Sequence, residues 1–562
     1  MPENKVGGYI SKIKFNNGEE VQISKDDIVI FVGPNNAGKS QSLRDIFMLS
    51  STKQPSIVVS DITITKYGLP ILPLLERISI GHDNGSFKSF QVMGHKFNIN
   101  RFTESNYWDD ALFGVFRNLF VVNLDTSTRL ITCLPQPNIA RNSNKQHPIH
   151  YAAFDGDCRK WLSKKFKEAF NVEIIPNKQF GDIIPLCMGE PVKFTKDFED
   201  EETRQESYAE ILATYKQVQD QGDGIKSFTG ILLYLMLDYY CTYLIDEPES
   251  FLHPPQARIM GQIIGQTLKD DQQAFISTHS EDIIKGLLET CPKRIKIIRI
   301  MRENDTNYFS ILDNNSFNAV WNDPLLKYSN IMSSLFHKSV VLCESDSDCK
   351  MYSIIESHIK QAEGKYSETL FIHCGGKHRM AKVATALRLL NVEVKLIPDI
   401  DILNDENTFK GIVEAFGIDW EQIKSDYKVI VSNLHSTKEK INRNTAKASI
   451  LQILDSSDST DLSTKEIESI RDSISTISKW AEIKRMGISA IPVGDATKAF
   501  QRINQLLREN QIYIVPVGEL ECFIKEVGKH GPEWVNKVLE QYSDLDNSVY
   551  SQITQFIHDM KL

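Results

Sequence analysis

The sequence predicts a mixed α/β protein with two domains, and three observations support this prediction. At 562 residues the chain is too long for one ordinary hydrophobic core, so two to four domains are expected. Residues 27–32 form a β-branched run that leads into a glycine-rich loop and then a helical stretch. Residues 339–343 form a second apolar run, which leads into acidic residues and another helical stretch. Both runs are typical of buried parallel strands.

The composition, with 41% hydrophobic and 25% charged residues, is that of a globular protein. No apolar run approaches the ~20 residues that cross a bilayer, and no apolar signal segment follows Met1. The nine scattered cysteines argue for reduced thiols, so we expect a cytoplasmic protein without a membrane partner. The net charge of −10 weakens a nucleic-acid interpretation without excluding it, because a binding patch can be local.

The glycine-rich loop, residues 33–40, has the pattern G-x-x-x-x-G-K-S between a strand and a helix. Its glycines allow backbone N–H groups to turn inward around phosphates, and the helix N-terminus adds partial positive charge. We expect Lys39 to reach the β- and γ-phosphates of ATP and Ser40 to hold Mg²⁺. The predicted nucleotide-binding residues of this loop are Gly33, Asn35, Asn36, Gly38, Lys39, Ser40 and Gln41.

Two acids follow another predicted strand, residues 242–247. Asp246 suits a magnesium ion that Ser40 shares, and Glu247 suits the general base that polarises the attacking water. His279 follows a third strand and could sense the γ-phosphate. Together these residues predict ATP hydrolysis.

These motifs, with Asp246-Glu247-Pro-Glu-x-x-Leu-His-Pro and Ser-Thr-His279-Ser, resemble ABC-type ATPases related to DNA-repair and chromosome-maintenance proteins. The resemblance implies that two ATPase heads close on ATP and that each supplies a signature loop to its partner. The candidate for this loop is Gly222–Ser227, with Gly224 as a nucleotide-binding residue, although it departs from the usual Leu-Ser-Gly-Gly pattern. A homodimer or higher homo-oligomer is therefore expected.

The predicted ATPase domain covers residues 1–330, with an insert at about 50–215 that carries no nucleotide motif. An insert of this size predicts a dimerisation or regulatory lobe. Its basic, aromatic-containing segment at 159–167 could grip a phosphate backbone, or it could form a solvated face or dimer contact.

A second set of acids begins after the run at 339–343. Glu344 stands at the end of that strand, and Asp348 lies four residues on, at the start of a helix. Asp399 and Asp401 follow a further apolar run, where alternate residues of an extended strand share a face. Because ligands of open α/β sheets gather beyond the carboxyl ends of strands, we expect the four acids to converge. Mg²⁺ and Mn²⁺ both prefer carboxylate oxygens.

The E-x-x-x-D and D-x-D order resembles the Toprim fold of primases, topoisomerases and some nucleases. Residues 512–518 are predicted to form another strand, which ends at Glu519 and Glu521. An ABC-type ATPase, then Toprim, then this late acidic pair is similar to the OLD family of ATP-dependent nucleases (overcoming lysogenization defect), which includes the nuclease of the Gabija phage-defence system. The resemblance covers essentially the whole chain.

This resemblance implies that residues 331–562 form a Toprim (Rossmann-like) nuclease domain with a helical insert at about 405–486. Two metal ions would be held by Glu344, Asp348, Asp399, Asp401, Glu519 and Glu521. A late lysine would assist cleavage; Lys537 is our choice, with Lys525 and Lys529 left open. Lys377, after a glycine turn, could contact the scissile phosphate. Ser345 and Glu519 depart from the residues usual in these positions.

The sequence thus predicts an ATP-regulated endonuclease, dependent on ATP and on Mg²⁺ or Mn²⁺, that cleaves phage or plasmid DNA in anti-phage defence. The assigned catalytic residues are Glu247, Glu344, Asp399, Asp401 and Lys537. A Toprim ribonuclease acting on tRNA or other RNA and a repair-type ATPase that clamps DNA without cleavage are the alternatives. A retron reverse transcriptase with its RNA–DNA hybrid, or another defence partner, is a further partner that these residues leave open.

Overall fold

The computed structural model describes residues 6–68, 70–192, 200–304, 306–312, 323, 331–435, 443–456, 461–463, 466–467, 469–470 and 479–562. The chain is mixed α/β and divides into two compact units, Met1–Ala319 and Val320–Leu562. The predicted boundary at residue 330 lies next to a stretch outside the described residues.

The first unit is built around a six-stranded sheet. Five of its strands run parallel, and one edge strand is antiparallel to its neighbour. The central strands read as continuous apolar runs because both faces of the sheet are covered. In spatial order the strands are Thr306–Ile311, Ile295–Glu303, Ile28–Val32, Gln273–Ser277, Thr242–Asp246 and Val121–Leu124.

Smaller sheets and the helices complete the first unit. The remaining strands are Gly7–Phe15, Glu20–Gln22, Val59–Tyr67, His82–Asp83, Lys88–Val92, His95–Ile99, Gln136–Pro137, Glu173–Pro176, Ile183–Ile184, Leu186–Gly189 and Lys216–Gln217. The described α-helices of this unit are Lys39–Leu49, Ile71–Ile78, Arg101–Asp109, Arg117–Phe120, Thr126–Thr132, Pro148–Phe154, Gly156–Phe170, Glu201–Ala213, Asp223–Leu235, Pro254–Thr267 and Glu281–Thr290.

One buried carboxylate fastens the helix Lys39–Leu49 to the chain that follows it. Asp45 accepts hydrogen bonds from the backbone N–H groups of Ile57, Val58 and Val59, at 3.2, 2.7 and 3.0 Å. A charged acceptor that is satisfied by several N–H donors is a strong anchor in a buried position. The glycine-rich loop is therefore followed by a helix that is fixed at its middle.

The second unit contains a three-stranded parallel sheet with Ser339–Cys343 in the centre, flanked by Thr369–His373 and Glu393–Ile397. On one side of it lies an apolar core that includes Val341, Tyr352 and Trp534. The described α-helices of this unit are Asp346–Ala362, Met380–Leu389, Glu406–Ala415, Trp420–His435, Arg443–Leu454, Lys479–Met486, Asp495–Glu509, Gly531–Gln541 and Ser551–Asp559.

Residues 512–518 differ from the strand that the sequence predicts. The segment joins the sheet through a single parallel bridge between Leu396 and Ile512, followed by a hydrogen bond from Val515 N to Pro398 O at 3.1 Å. Pro398 has no N–H to donate at the next ladder position, so regular pairing ends there. The segment still runs beside the sheet, and it delivers Glu519 to the same end as Asp399.

Among the described helices, none has both the length and the apolar character that a bilayer crossing requires.

Candidate functional site

The glycine-rich loop of the first unit takes backbone conformations that its glycines permit. Gly33 and Gly38 have φ values of 141° and 106°, in the region that side chains rarely adopt. A Cβ at Gly33 would lie 2.0 Å from the carbonyl oxygen of Ile300, so the loop packs directly on the neighbouring strand. Asn307 donates a hydrogen bond to Ala37 O at 2.7 Å and so anchors the loop to strand Thr306–Ile311. Asn35 and Asn36 are exposed at its tip.

Lys39 is buried at the base of this loop, with its ammonium group held by backbone oxygens. Its Nζ donates to Gly33 O at 2.9 Å and to Pro34 O at 2.7 Å. Burial lowers the pKa of Lys39 to about 8, although Glu247, Glu249 and Asp246 act against that shift. Ser40 is half-buried beside it. Gln41 Nε2 donates to Asp45 at 2.8 Å, so its amide is engaged within the helix.

Asp246, the last residue of strand Thr242–Asp246, and Glu247, which follows it, lie at the same sheet edge as the loop. The Ser277 hydroxyl donates to Asp246, and Ser250 Oγ donates to Glu247 Oε2 at 3.2 Å. Glu247 has a positive φ of 48°, which turns the chain sharply at the strand end. His279 Nε2 lies 3.6 Å from Glu247 Oε1. The structure therefore brings Lys39, Asp246, Glu247 and His279 to one edge.

Glu249 is a buried acid that the sequence analysis did not single out. Its Oε1 accepts a hydrogen bond from His279 N at 2.6 Å, and its buried Oε2 has no protein hydrogen-bond partner. Burial raises the pKa of Glu249 to about 7. Glu249 therefore fixes the backbone at His279. Its position two residues after Glu247 is the sequence feature that could have indicated this role.

The predicted signature turn is part of a helix. The helix is Asp223–Leu235 with Gly222 as its N-cap, so Gly224 lies in the first turn and the candidate loop Gly222–Ser227 overlaps the helix. A Cβ at Gly224 would lie 2.5 Å from the carbonyl oxygen of Phe251, so this glycine allows close backbone approach. An early helical start is expected because Asp223 favours the positive end of a helix.

In the second unit, Glu344, Asp399 and Asp401 form one carboxylate cluster, with one oxygen of each within 4.8 Å of the others. The strand Glu393–Ile397 ends before Asp399, and a 3₁₀ turn at Ile400–Asn404, rather than strand alternation, sets Asp401 beside it. Glu344 Oε2 and Asp401 Oδ1 are buried, and no described residue hydrogen-bonds to either oxygen. Burial, and then the neighbouring carboxylates, raise the pKa of Asp399 well above its ordinary value.

Glu519, Glu521 and His530 form a second cluster in which ligand atoms also lie within 4.8 Å of one another. Gly531 N donates to Glu521 Oε1 at 2.7 Å and fixes that carboxylate. Asp348 exchanges capping hydrogen bonds with Ser345 at the start of helix Asp346–Ala362. Burial raises the pKa of Asp348, with smaller contributions from Glu521 and Glu519. All six predicted acids therefore gather at one region of this unit.

Two lysines pair with these acids. Lys377 Nζ lies 3.0 Å from Asp401 Oδ2, and Lys484 Nζ lies 3.1 Å from Glu519 Oε2. Burial lowers the pKa of Lys484, but the hydrogen bond and charge of Glu519 outweigh it and raise the pKa. Lys537 is exposed on helix Gly531–Gln541, and among the described ion pairs none joins it to the acids. No local motif marks Lys484 or His530, so the sequence alone does not predict a role for either residue.

Comparison with known proteins gives distant structural likenesses. The chain is similar to the SMC head domain from Thermotoga maritima, at 11% identity and a TM-score of 0.30, over 55% of this chain and 99% of that one. It is similar to the Smc head domain from Pyrococcus furiosus bound to the C-terminal domain of ScpA, at 11% identity and a TM-score of 0.32, over 56% of this chain and 98% of that one. At TM-scores this low, these likenesses carry no conclusion about function.

One curated relative matches a short part of the chain. It is the uncharacterized protein MJECL11 of Methanocaldococcus jannaschii, 36% identical over 73 residues, which are 13% of this chain. The match spans 64% of that protein's length. No family model matches the chain.

Proposed function

We propose that this protein is an ATP-regulated, divalent-metal-dependent DNA endonuclease of the OLD type. The observation that carries the proposal is the cluster of Glu344, Asp399 and Asp401, in which the buried oxygens Glu344 Oε2 and Asp401 Oδ1 have no hydrogen-bond partner among the described residues. Buried carboxylates are normally satisfied by hydrogen bonds or cations, because an isolated buried charge is costly. A hard divalent cation satisfies such oxygens directly.

The residues present fit two divalent cations. One would be held by Glu344, Asp399 and Asp401, and the other by Glu519 and Glu521, with Asp348 close to the second pair. Such ions, when bound, supply an activated water and stabilise the leaving oxygen of a phosphodiester. Mg²⁺ is the ion we propose, since oxygen ligands dominate both clusters.

The chain's own residues then position the substrate. Lys377 and Lys484 each pair with an acid of the clusters, so each can turn an N–H toward a non-bridging phosphate oxygen when a cation takes over its carboxylate. Lys484 replaces Lys537 in this role, because Lys484 is the lysine that lies beside Glu519. The two lysines offset part of the negative charge of the six acids, and bound cations would offset more of it, so that DNA is repelled less.

The first unit supplies the regulation in this proposal. Lys39 and the loop around it would bind the phosphates of ATP, Ser40 and Asp246 would hold its Mg²⁺, and Glu247 would orient the attacking water. A second copy of the chain would complete the ATP site through Gly224. The setting in phage defence rests on the OLD resemblance alone.

The test is a single substitution in the second unit. Asp399→Asn keeps the shape of the side chain and removes its charge, so Mg²⁺-dependent nicking of plasmid DNA should fall by about 100-fold or more while ATP hydrolysis persists. Asp346→Asn changes an exposed acid at the start of the neighbouring helix and serves as the matched control. Retained nicking in Asp399→Asn would overturn the nuclease assignment. Cleavage of tRNA but not of plasmid by the unaltered protein would favour the ribonuclease alternative.

A further inference from the structure

Arg129 is a fully buried arginine that neither motif of the first unit contains. It lies on helix Thr126–Thr132, and the predicted ATP site gives it no role. A buried guanidinium is expensive unless its donors are satisfied, so the groups it contacts show what the fold uses it for.

The guanidinium reaches the backbone of the acid pair directly. Its Nη1 donates to Asp246 O, and its Nη2 donates to Glu247 O at 3.1 Å. Nη1 also donates to Leu124 O at 3.0 Å, which belongs to the strand beside Thr242–Asp246. Arg129 therefore holds the turn at which Glu247 takes its positive φ.

The opposite edge of the same guanidinium contacts the helix Asp223–Leu235. Arg129 Nε donates to Ser227 Oγ at 3.0 Å, and Ser227 is fully buried in the first turns of that helix. The two helices pack closely, since a Cβ at Gly230 would lie 2.4 Å from Arg129 O. The planar guanidinium of a single side chain thus joins the predicted signature helix to the backbone of Asp246 and Glu247.

We propose that Arg129 is a positioning residue that couples movement of helix Asp223–Leu235 to the orientation of the Glu247 carboxylate. When a second copy of the chain contacts Gly224 in the presence of ATP, helix Asp223–Leu235 shifts and moves Ser227. The planar guanidinium transmits that movement to the turn at Glu247. A lysine could keep the charge but could not match these acceptors, because only the guanidinium offers five donors in a fixed fork. This inference rests on the proposed ATPase activity.

Two single substitutions separate coupling from simple support. Ser227→Ala and Thr126→Ala each delete one hydroxyl oxygen that accepts from Arg129, at 3.0 and 3.2 Å, but only Ser227 lies on the signature helix. We expect Ser227→Ala to lower the kcat of ATP hydrolysis about tenfold with KM unchanged, as the loss of one hydrogen bond to a charged group implies. Thr126→Ala should leave kcat near the value of the unaltered protein.

Arg129→Lys should lower kcat further, by about 100-fold, because misplacing a catalytic group by about 1 Å has that effect. Combining Arg129→Lys with Ser227→Ala should add nothing to Arg129→Lys alone, since the two residues act as a unit. Equal loss of kcat and of melting temperature in Ser227→Ala and Thr126→Ala would overturn the inference, because it would make Arg129 merely structural.

A hydrogen-exchange measurement tests the coupling through Arg129 independently of the proposed function. Ser227→Ala should speed amide exchange at Glu247, Glu249 and Ser250 in the full-length protein with ATP, and Thr126→Ala should not. Unchanged exchange in Ser227→Ala would sink the coupling even if ATP is hydrolysed. If the unaltered protein hydrolyses no ATP, the proposed function fails, and the exchange result still decides whether the helix and the turn are linked.

Discussion

At the carboxyl ends of their parallel strands, the two units bury side chains of opposite charge. In the first unit a buried lysine, Lys39, is held by two carbonyl oxygens, and burial lowers its pKa to about 8. In the second unit carboxylates outnumber the paired lysines, and burial raises the pKa of Glu344, Asp348 and Asp399. One edge therefore suits an incoming polyanion, and the other suits incoming cations.

This difference shows that equivalent edges of two parallel sheets can suit two different chemistries. In both units the backbone delivers polar groups at the carboxyl ends of parallel strands. What differs is the sign of the buried charge and how it is satisfied: the Lys39 ammonium donates to two backbone carbonyl oxygens, whereas Asp401 Oδ1 has no hydrogen-bond partner among the described residues. In each site burial shifts a pKa against the charged form, and a ligand of opposite charge would favour that form.

The largest expected effect comes from removing the cation of the first site. Lys39→Met should reduce ATP hydrolysis by about 100- to 1000-fold, because a preorganised charge aimed at the developing negative charge is lost. Mg²⁺ binding by the second unit, measured by calorimetry, should be unchanged. Lys53→Met alters an exposed lysine that pairs with Asp61 outside the six-stranded sheet, and it should change neither ATP hydrolysis nor Mg²⁺ binding. Loss of Mg²⁺ binding in Lys39→Met would show that the acids of the second unit do not act independently of Lys39.

The lysines of the second site give the next effect. Lys484→Met should reduce plasmid nicking by about tenfold or more, because its ammonium is the cation that lies beside Glu519. Lys537→Met should leave nicking unchanged, since that residue is exposed on its helix. Initial nicking rates at saturating Mg²⁺ measure both. The reverse order of effects would restore Lys537 to the role that the sequence predicts.

A smaller effect concerns the pH dependence of nucleotide binding. Lys39 must be charged to attract phosphate, so the Kd for ATP should rise by up to about tenfold per pH unit above a pKa of about 8. Glu247→Gln removes a carboxylate that raises this pKa, and the weakening should then begin at a lower pH. Fluorescent-nucleotide titrations between pH 7 and 9 test this. An identical pH profile in the two proteins would mean that Glu247 does not act on Lys39.

The smallest effect is a pH dependence of stability in the metal-free protein. Burial raises the folded-state pKa of Asp399 above the unfolded value, so the folded state binds this proton more tightly. Its contribution is complete below pH about 4 and is lost as pH rises through the raised pKa, at about 1.4 kcal/mol for each pKa unit. In EDTA, the melting temperature should fall with rising pH, and Asp399→Asn should flatten that slope. Excess Mg²⁺ should raise the melting temperature most at high pH, and the absence of any such rise would argue against a cation site.

Local sequence patterns predicted the structure where a motif and the strand or helix that supports it lie close together in the chain. The strand Ile28–Val32, the loop at 33–40 and the helix Lys39–Leu49 follow directly from an apolar run, two glycines and a helix start. The strand Ser339–Cys343 and the acid at its end follow in the same way. The pattern failed at residues 512–518, where Pro398, on the neighbouring segment, removes a ladder donor.

The sequence by itself determined which residues carry the candidate chemistry: a lysine in a glycine loop, and acids at strand ends. Tertiary structure decided their partners. Arg129 contacts Ser227 and Glu247, which lie 98 and 118 residues further along the chain, Asn307 holds Ala37 across 270, and Lys484 meets Glu519 from a separate helix. Such contacts leave no local pattern, because they depend on which segments the sheets bring together and on the need of each buried polar group for a partner.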